Sequence, residues 1–369
     1  MAKKFNVGVI GYGLSAKVFH IPFINLTEDL VLHSIVQRSP RPGNSAPADH
    51  PAVKHYTTTD ALIQDTEVDI VVVTTPPDTH FGLARASLLK GKHVLVEKPF
   101  VPTAAEAQEL ADLARAQSRV LCVYQNRRWD SDFLTVRRLI ADGTLGRIVE
   151  FETHFDRFRP NRPADWKGNL SIKQGGGVVY DLGTHLIDQA FALFGVPSAV
   201  SGFFVNQREG RFVTGEGGLE HEPDSFTAIL RYKETGTLVQ VRVGVLSVED
   251  EQTRYWVRGT KASYHKSFLD PQEDQLRGGM KPSDTGFGVE DPSRAGTLCV
   301  AQEGGKVVRE TYPTVQAETY SRFYELFAKS VASGKEEDVP VPAAQAAQVL
   351  RIIEAVRESA KTGQEISLT

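Results

Sequence analysis

The feature that most constrains this chain is an apolar run close to its start that ends in a glycine-rich turn. Residues 5–10 read as a buried strand, and Gly11-Tyr12-Gly13-Leu14-Ser15-Ala16 follows at once and opens a helical pattern. In a G-x-G-x-x-A turn the first glycine permits the tight bend and the second lets the backbone approach a ligand. The small last residue lets helix and strand pack closely. The N–H groups at the start of the helix favour an anion such as a pyrophosphate. Alone, such a hexapeptide is weak evidence, because a plain strand-to-helix turn can look the same. Here the pattern continues. Strand candidates at 31–36, 69–74, 93–97 and 120–123 alternate with helical patterns at 14–25, 60–65, 79–89 and 104–116. Short, nearly continuous Val/Ile/Leu runs separated by helices predict a parallel sheet covered on both faces. The first third is expected to be a doubly wound α/β domain that binds a dinucleotide.

After Tyr124 the grammar changes. A helix over 131–141 and a strand over 148–155 lead into a polar stretch ending in Gly175-Gly176-Gly177, then a helix over 180–194. Strand candidates follow at 200–207, 225–232, 237–245, 253–257 and 298–301, before closing helices at 316–332 and 343–361. Strands in succession without intervening helices predict an α+β domain built on a large, mostly antiparallel sheet. A break near 122–126 divides the chain into a dinucleotide-binding domain (1–124) and a substrate-binding and oligomerisation domain (125–369). A length of 369 residues suits two domains. Lys and Arg number 42 against 46 Asp and Glu, a net charge of −4, which provides no field for a nucleic-acid backbone. Two cysteines, Cys122 and Cys299, are too few for a disulfide framework or a cysteine-based zinc site, and no metal is expected. No run approaches the length of a membrane span, and the first apolar segment is too short for a signal peptide. A cytosolic, soluble protein is expected.

The choice of dinucleotide turns on the end of the second strand. An NAD site usually carries an Asp or Glu there, about 20 residues past the glycines. This chain reads Val36-Gln37-Arg38-Ser39-Pro40-Arg41, with no carboxylate. Arg38 and Ser39 suit a 2′-phosphate through charge-assisted hydrogen bonds, so NADP is favoured over NAD. The bland alternative for Arg38 is a solvated loop residue. Two further strand ends should border the same crevice: Thr75-Pro76 with the nearby His80, and Glu97-Lys98-Pro99. The proline holds Lys98 extended, and a cis bond there would fix its direction. In the second half, Asp181 and His185 stand four apart, on one helical face about 6 Å from each other. A structural Asp–His pair would look the same, but beside a dinucleotide fold and a strand-end lysine it forms a candidate acid–base set.

With these motifs together the chain resembles the glucose–fructose oxidoreductase/inositol dehydrogenase (Gfo/Idh/MocA) oxidoreductases over nearly its whole length. The resemblance rests on Gly11-x-Gly13, Glu97-Lys98-Pro99 and Asp181-x-x-x-His185. Residues 11–20, 124–130 and 272–277 are similar to the NADP-dependent scyllo-inositol dehydrogenase branch. Ala16 in place of a third glycine is within the fingerprint. The resemblance implies a Rossmann domain, an open-faced sheet used for dimers or tetramers, and a catalytic set of Lys98, Asp181 and His185. His185 would handle the hydroxyl proton of a polyol or sugar, Lys98 would stabilise charge on the substrate oxygen, and Asp181 would orient the substrate hydroxyls or the histidine. Asn126, Arg127, Arg128, Arg157, Arg159 and Tyr180 are candidate contacts for a substrate rich in hydroxyls; the arginines could equally be surface or ion-pair residues. Two other readings stay open. One is a non-catalytic dinucleotide-binding regulator of the galactose-repressor type. The other is a dicarbonyl or anhydro-sugar reductase, or a dihydrodiol dehydrogenase.

Overall fold

Every side chain of β1 (Phe5–Ile10) except that of Asn6 is buried, as a strand covered on both faces requires. The computed structural model describes residues 4–162, 170–214 and 223–368. In it β1 sits inside a six-stranded parallel sheet with β2 (Leu30–Val36), β3 (Lys54–Tyr56), β4 (Ile70–Val73), β5 (His93–Val96) and β6 (Leu121–Val123). The order is β3-β2-β1-β4-β5-β6, so the direction of winding reverses between β1 and β4. In an open α/β sheet such a switch point leaves a crevice beyond the carboxyl ends of the strands. The doubly wound domain expected from the sequence is present.

The helices of this sheet show their causes in the sequence. Helix Ala104–Ala116 begins with a capping box: Thr103 Oγ1 accepts the Glu106 N–H at 3.2 Å, and the Glu106 carboxylate accepts the Thr103 N–H at 3.2 Å. It buries Ala107, Leu110, Ala111 and Ala114, one stripe at helical spacing. The helix expected over 14–25 differs: a π-helical turn, Ala16–His20, leads into a short α-helix, Ile21–Leu26. Pro22 near the join has no N–H to give the preceding turn, so the regular ladder cannot run through.

The second sheet has ten strands: β7 (Ile148–Asp156), β8 (Ala199–Asn206), β9 (Arg211–Phe212), β10 (Ser225–Tyr232), β11 (Thr237–Gly244), β12 (Thr253–Gly259), β13 (Ala262–Ser267), β14 (Gly296–Ala301), β15 (Val307–Tyr312) and β16 (Ile366–Ser367). Their order is β15-β14-β13-β12-β7-β11-β10-β8-β16, with β9 beside β8. Every pairing is antiparallel except β7 with β11. Alternate residues divide the two faces. Phe151, Phe155, Val239, Val241, Tyr255 and Val257 are buried on one, where helix Thr184–Phe194 packs on β7 and β11. The register places Glu152, Gln240 and Trp256 together on the other.

The chain divides into two compact units, and not by a single cut. One unit is the chain up to Trp129 with Gln272–Phe287 and Glu318–Ala347; the other is Asp130–Pro271 with Gly288–Ala317 and Gln348–Thr369. The first break follows a few residues after the 122–126 expected. Two later segments return to the first unit, which local patterning does not reveal.

Candidate active site

Gly11 directly follows β1 with φ +104°, and a Cβ there would stand 2.7 Å from Thr74 Oγ1 at the neighbouring strand end. Only glycine fits both the conformation and the space. Gly13 is the opposite case. It is exposed, and a Cβ there would meet nothing within 4 Å, so the loop is open on that side. Ala16 is fully buried beneath it. An open backbone ahead of a helix start fits the pyrophosphate of a dinucleotide. Leu14 is half exposed beside Gly13. Tyr12 turns inward: its hydroxyl donates to Asp49 Oδ2 at 2.7 Å and its ring meets His50 edge-on, leaving its backbone for a ligand.

Beyond β2, Arg38 and Ser39 are exposed on a braced loop. Gln37 donates through Nε2 to Asn44 O at 2.8 Å and accepts the Ala46 N–H at 2.7 Å, while Lys17 Nζ donates to Asn44 Oδ1 at 2.7 Å. These bonds hold the loop's two ends together and leave the guanidinium of Arg38 in solvent.

Thr75 and Pro76 follow β4 and are half-buried. His80 is fully buried, with Nε2 2.7 Å from Thr75 O and Nδ1 3.0 and 3.1 Å from Pro99 O and Phe100 O. Burial lowers its pKa, against the opposing pull of those carbonyls. The ring therefore ties two strand-end loops together. Lys98 is half-buried and its bond to Pro99 is cis. Glu97 is buried; its Oε1 meets Ser15 Oγ and, at 2.9 Å, His20 Nε2, while its Oε2 accepts the Lys98 N–H at 2.8 Å.

In the second unit a π-helical turn, Val179–Gly183, carries Asp181, and the helix Thr184–Phe194 that continues it carries His185. A Cβ on Gly183 would lie 2.6 Å from the Phe226 ring, so the glycine lets this helix start press against β10. A π turn holds more residues per turn than an α turn, so positions four apart stay on one side. Asp181 is half-buried and His185 buried.

The substrate candidates scatter. Asn126, Arg127 and Arg128 are buried in a 3-10 turn, where Arg127 pairs with Glu273 and Arg128 Nη1 donates to Gln345 Oε1 at 2.8 Å. Tyr180 is fully buried, its hydroxyl accepting from Arg357 Nη1 at 2.8 Å. The side chains of Arg127, Arg128 and Tyr180 are thus engaged inside their own units. Arg157 lies over the Phe155 ring at 4.4 Å, and Arg159 is exposed. Sequence reasoning missed His20 and the link from Ser15 to Glu97, because no local spacing connects residues so far apart. Among the described residues, His33, Asp65 and Glu67 bring ligand atoms together, but Lys54 pairs with both carboxylates there. No described helix is long and apolar enough to cross a membrane.

Residues 5–125 match the oxidoreductase-family NAD-binding Rossmann fold, and residues 137–368 match that family's C-terminal alpha/beta domain. The chain belongs to the Gfo/Idh/MocA oxidoreductase family. It is 40% identical over 366 residues to YdgJ, an uncharacterised oxidoreductase of Escherichia coli, covering 98% of each chain. It is 35% identical over 362 residues to IolW of Bacillus subtilis, a scyllo-inositol 2-dehydrogenase (NADP(+)), covering 98% of this chain and 95% of that one. The solved structure of the oxidoreductase yvaA of Bacillus subtilis matches with a TM-score of 0.90 at 34% identity, over 100% of this chain and 99% of that one. Within the Gfo/Idh/MocA family, then, this protein is an oxidoreductase whose first unit carries the dinucleotide-binding fold.

Proposed function

We propose that this oxidoreductase is an NADP-dependent dehydrogenase acting on a secondary alcohol of an inositol, another polyol or a sugar, in the cytosol. One observation carries the reading: the chain holds Lys98 and the Asp181/His185 pair, and it is 35% identical over nearly its whole length to a scyllo-inositol 2-dehydrogenase (NADP(+)). The open backbone at Gly13 and the helix start after it would hold the pyrophosphate, and Arg38 with Ser39 would hold the 2′-phosphate. Bound NADP supplies a hydride acceptor at nicotinamide C4 and, when reduced, a hydride donor. The chain's own residues handle the proton and the charge. A hydroxyl carbon releases hydride only as its oxygen loses a proton, and a histidine, which ordinarily titrates near neutrality, suits that transfer. His185 accepts this proton in oxidation and returns it in reduction. The Lys98 ammonium stabilises negative charge developing on the substrate oxygen. Asp181 orients the imidazole or a neighbouring substrate hydroxyl.

The test is a panel of inositols, polyols, aldoses and ketones with NADP(H) and NAD(H). Turnover of a cyclic or open polyol with NADP is expected. With the best substrate, His185→Ala should lower turnover about 10²–10⁴-fold and leave dinucleotide affinity nearly unchanged. Near-normal turnover in that variant would remove His185 from the mechanism. Dinucleotide binding without turnover of any substrate would favour the regulator of the galactose-repressor type.

A further inference from the structure

Ser15 and His20 are five residues apart, and on a regular α-helix of 3.6 residues per turn their side chains would point about 140° apart. Both nevertheless reach one oxygen, Glu97 Oε1. The π turn Ala16–His20 makes this possible, because its i→i+5 pattern returns the fifth residue toward the same side. Turns of this kind recur at functional sites. The other oxygen of the same carboxylate accepts the Lys98 N–H at 2.8 Å. His20 is itself held from behind, with Nδ1 2.5 Å from the hydroxyl of fully buried Tyr324. A continuous line of contacts therefore runs from Tyr324 through His20 and Glu97 to the backbone of Lys98, with a branch to the loop ahead of the helix at Ser15.

We infer that His20 is a positioning residue: backed by Tyr324, it fixes the Glu97 carboxylate, which sets the backbone of Lys98 against the glycine-rich loop. The inference rests on the proposed role of Lys98. A free carboxylate on Glu97 could rotate among several acceptor geometries. Two donors from one helix and one from the adjacent backbone leave it a single orientation, and with it one placement of the 97–100 segment. The His20 Nε2–H donates to the Glu97 carboxylate, and the Tyr324 hydroxyl holds the other side of the ring at Nδ1.

Hydrogen exchange on the cofactor-free full chain, read on peptides spanning residues 97–100, tests this without any turnover. His20→Phe should speed exchange there about tenfold while the remaining peptides keep their protection. His20→Gln, which keeps a donor where Nε2 stood, should restore most of the protection. Titration with NADPH should show a several-fold weaker affinity for His20→Phe. With a turned-over alcohol, His20→Phe should lower kcat at least tenfold in the native background and less than twofold in a Lys98→Met background, since it acts through Lys98. If His20→Phe does not fold, Tyr324→Phe is expected to show the same background dependence with a smaller loss. Unchanged exchange at 97–100, or equal kcat losses in both backgrounds, overturns the inference. Full turnover in Lys98→Met alone overturns the role of Lys98, and this inference with it.

Discussion

On the proposed NADP reading, the choice between two dinucleotides rests on the charge of Arg38. The braced loop after β2 leaves this guanidinium exposed, and positions 36–41 hold no carboxylate to accept from ribose hydroxyls. Arg38→Asp should weaken NADP binding tenfold or more, because it replaces a charge-assisted pair with repulsion, and should affect NAD much less. Equal losses measured by fluorescence titration would place the 2′-phosphate elsewhere. Glu97 offers a prediction of a different kind. Burial pushes its pKa up, but the His20 hydrogen bond and charge, the Lys98 ammonium and Ser15 together bring it down to about 2. An unfolded glutamate titrates near 4.3. The folded value is the lower one, so the stability it contributes is complete above about pH 4.3 and disappears as the pH falls through about 2, roughly 3 kcal/mol in all. Urea unfolding of Glu97→Gln should therefore show a shallower loss of stability between pH 4.5 and 2.5 than the native chain. Equal acid slopes would mean that Glu97 is not held ionised by its neighbours.

Among the elements, β12 shows how the second unit holds its helices. Arg254 is fully buried there. It donates to Asp132 Oδ2 at 2.8 Å on helix Ser131–Ala141, to Gln189 Oε1 at 2.7 Å on helix Thr184–Phe194, and to Thr153 Oγ1 at 2.9 Å on β7. One guanidinium ties two helices to the sheet, and Gln189 lies one turn beyond His185. Arg254→Met should cost about 3–5 kcal/mol, because it strands the Asp132 carboxylate in the interior. Adding Asp132→Leu should recover part of that loss. A double variant less stable than Arg254→Met in denaturant titrations would contradict this account. The same residues explain what the sequence could and could not disclose. β1 was legible as a continuous apolar run, and β10 and the helix Ala104–Ala116 because burial follows their apolar period. β13 was not: its inward side carries Lys266, which reads as polar until Glu290 is found 2.7 Å away. β15 stood out poorly because most of its side chains are exposed at an edge, and β3 because it has three residues. At the site, Gly11, Lys98, Asp181 and His185 were legible as motifs. The inward engagement of Arg127, Arg128 and Tyr180 was not, since it depends on partners more than a hundred residues away.

For the molecule as a whole, the unsettled surface is the second face of the ten-stranded sheet. Its neighbouring rows carry Phe203, 52% exposed, Leu238, 43%, and Trp256, 43%. Charged groups stand among them, Arg258 paired with Glu150 and Arg242 3.3 Å from Asp156. Large apolar side chains in three adjacent rows of one face, standing among already paired charges, have the makeup of an association surface. A broad sheet face offers enough area for a stable contact, which needs about 1,200–2,000 Å² in total. We therefore expect a homodimer or homotetramer formed through this face. Light scattering at micromolar concentration should give two or four times the chain mass of 40.6 kDa. Trp256→Glu with Leu238→Asp should shift the mass toward one chain and leave dinucleotide binding intact, because the binding loops belong to the other unit. A native protein that scatters as a monomer would leave this face without the partner its composition calls for.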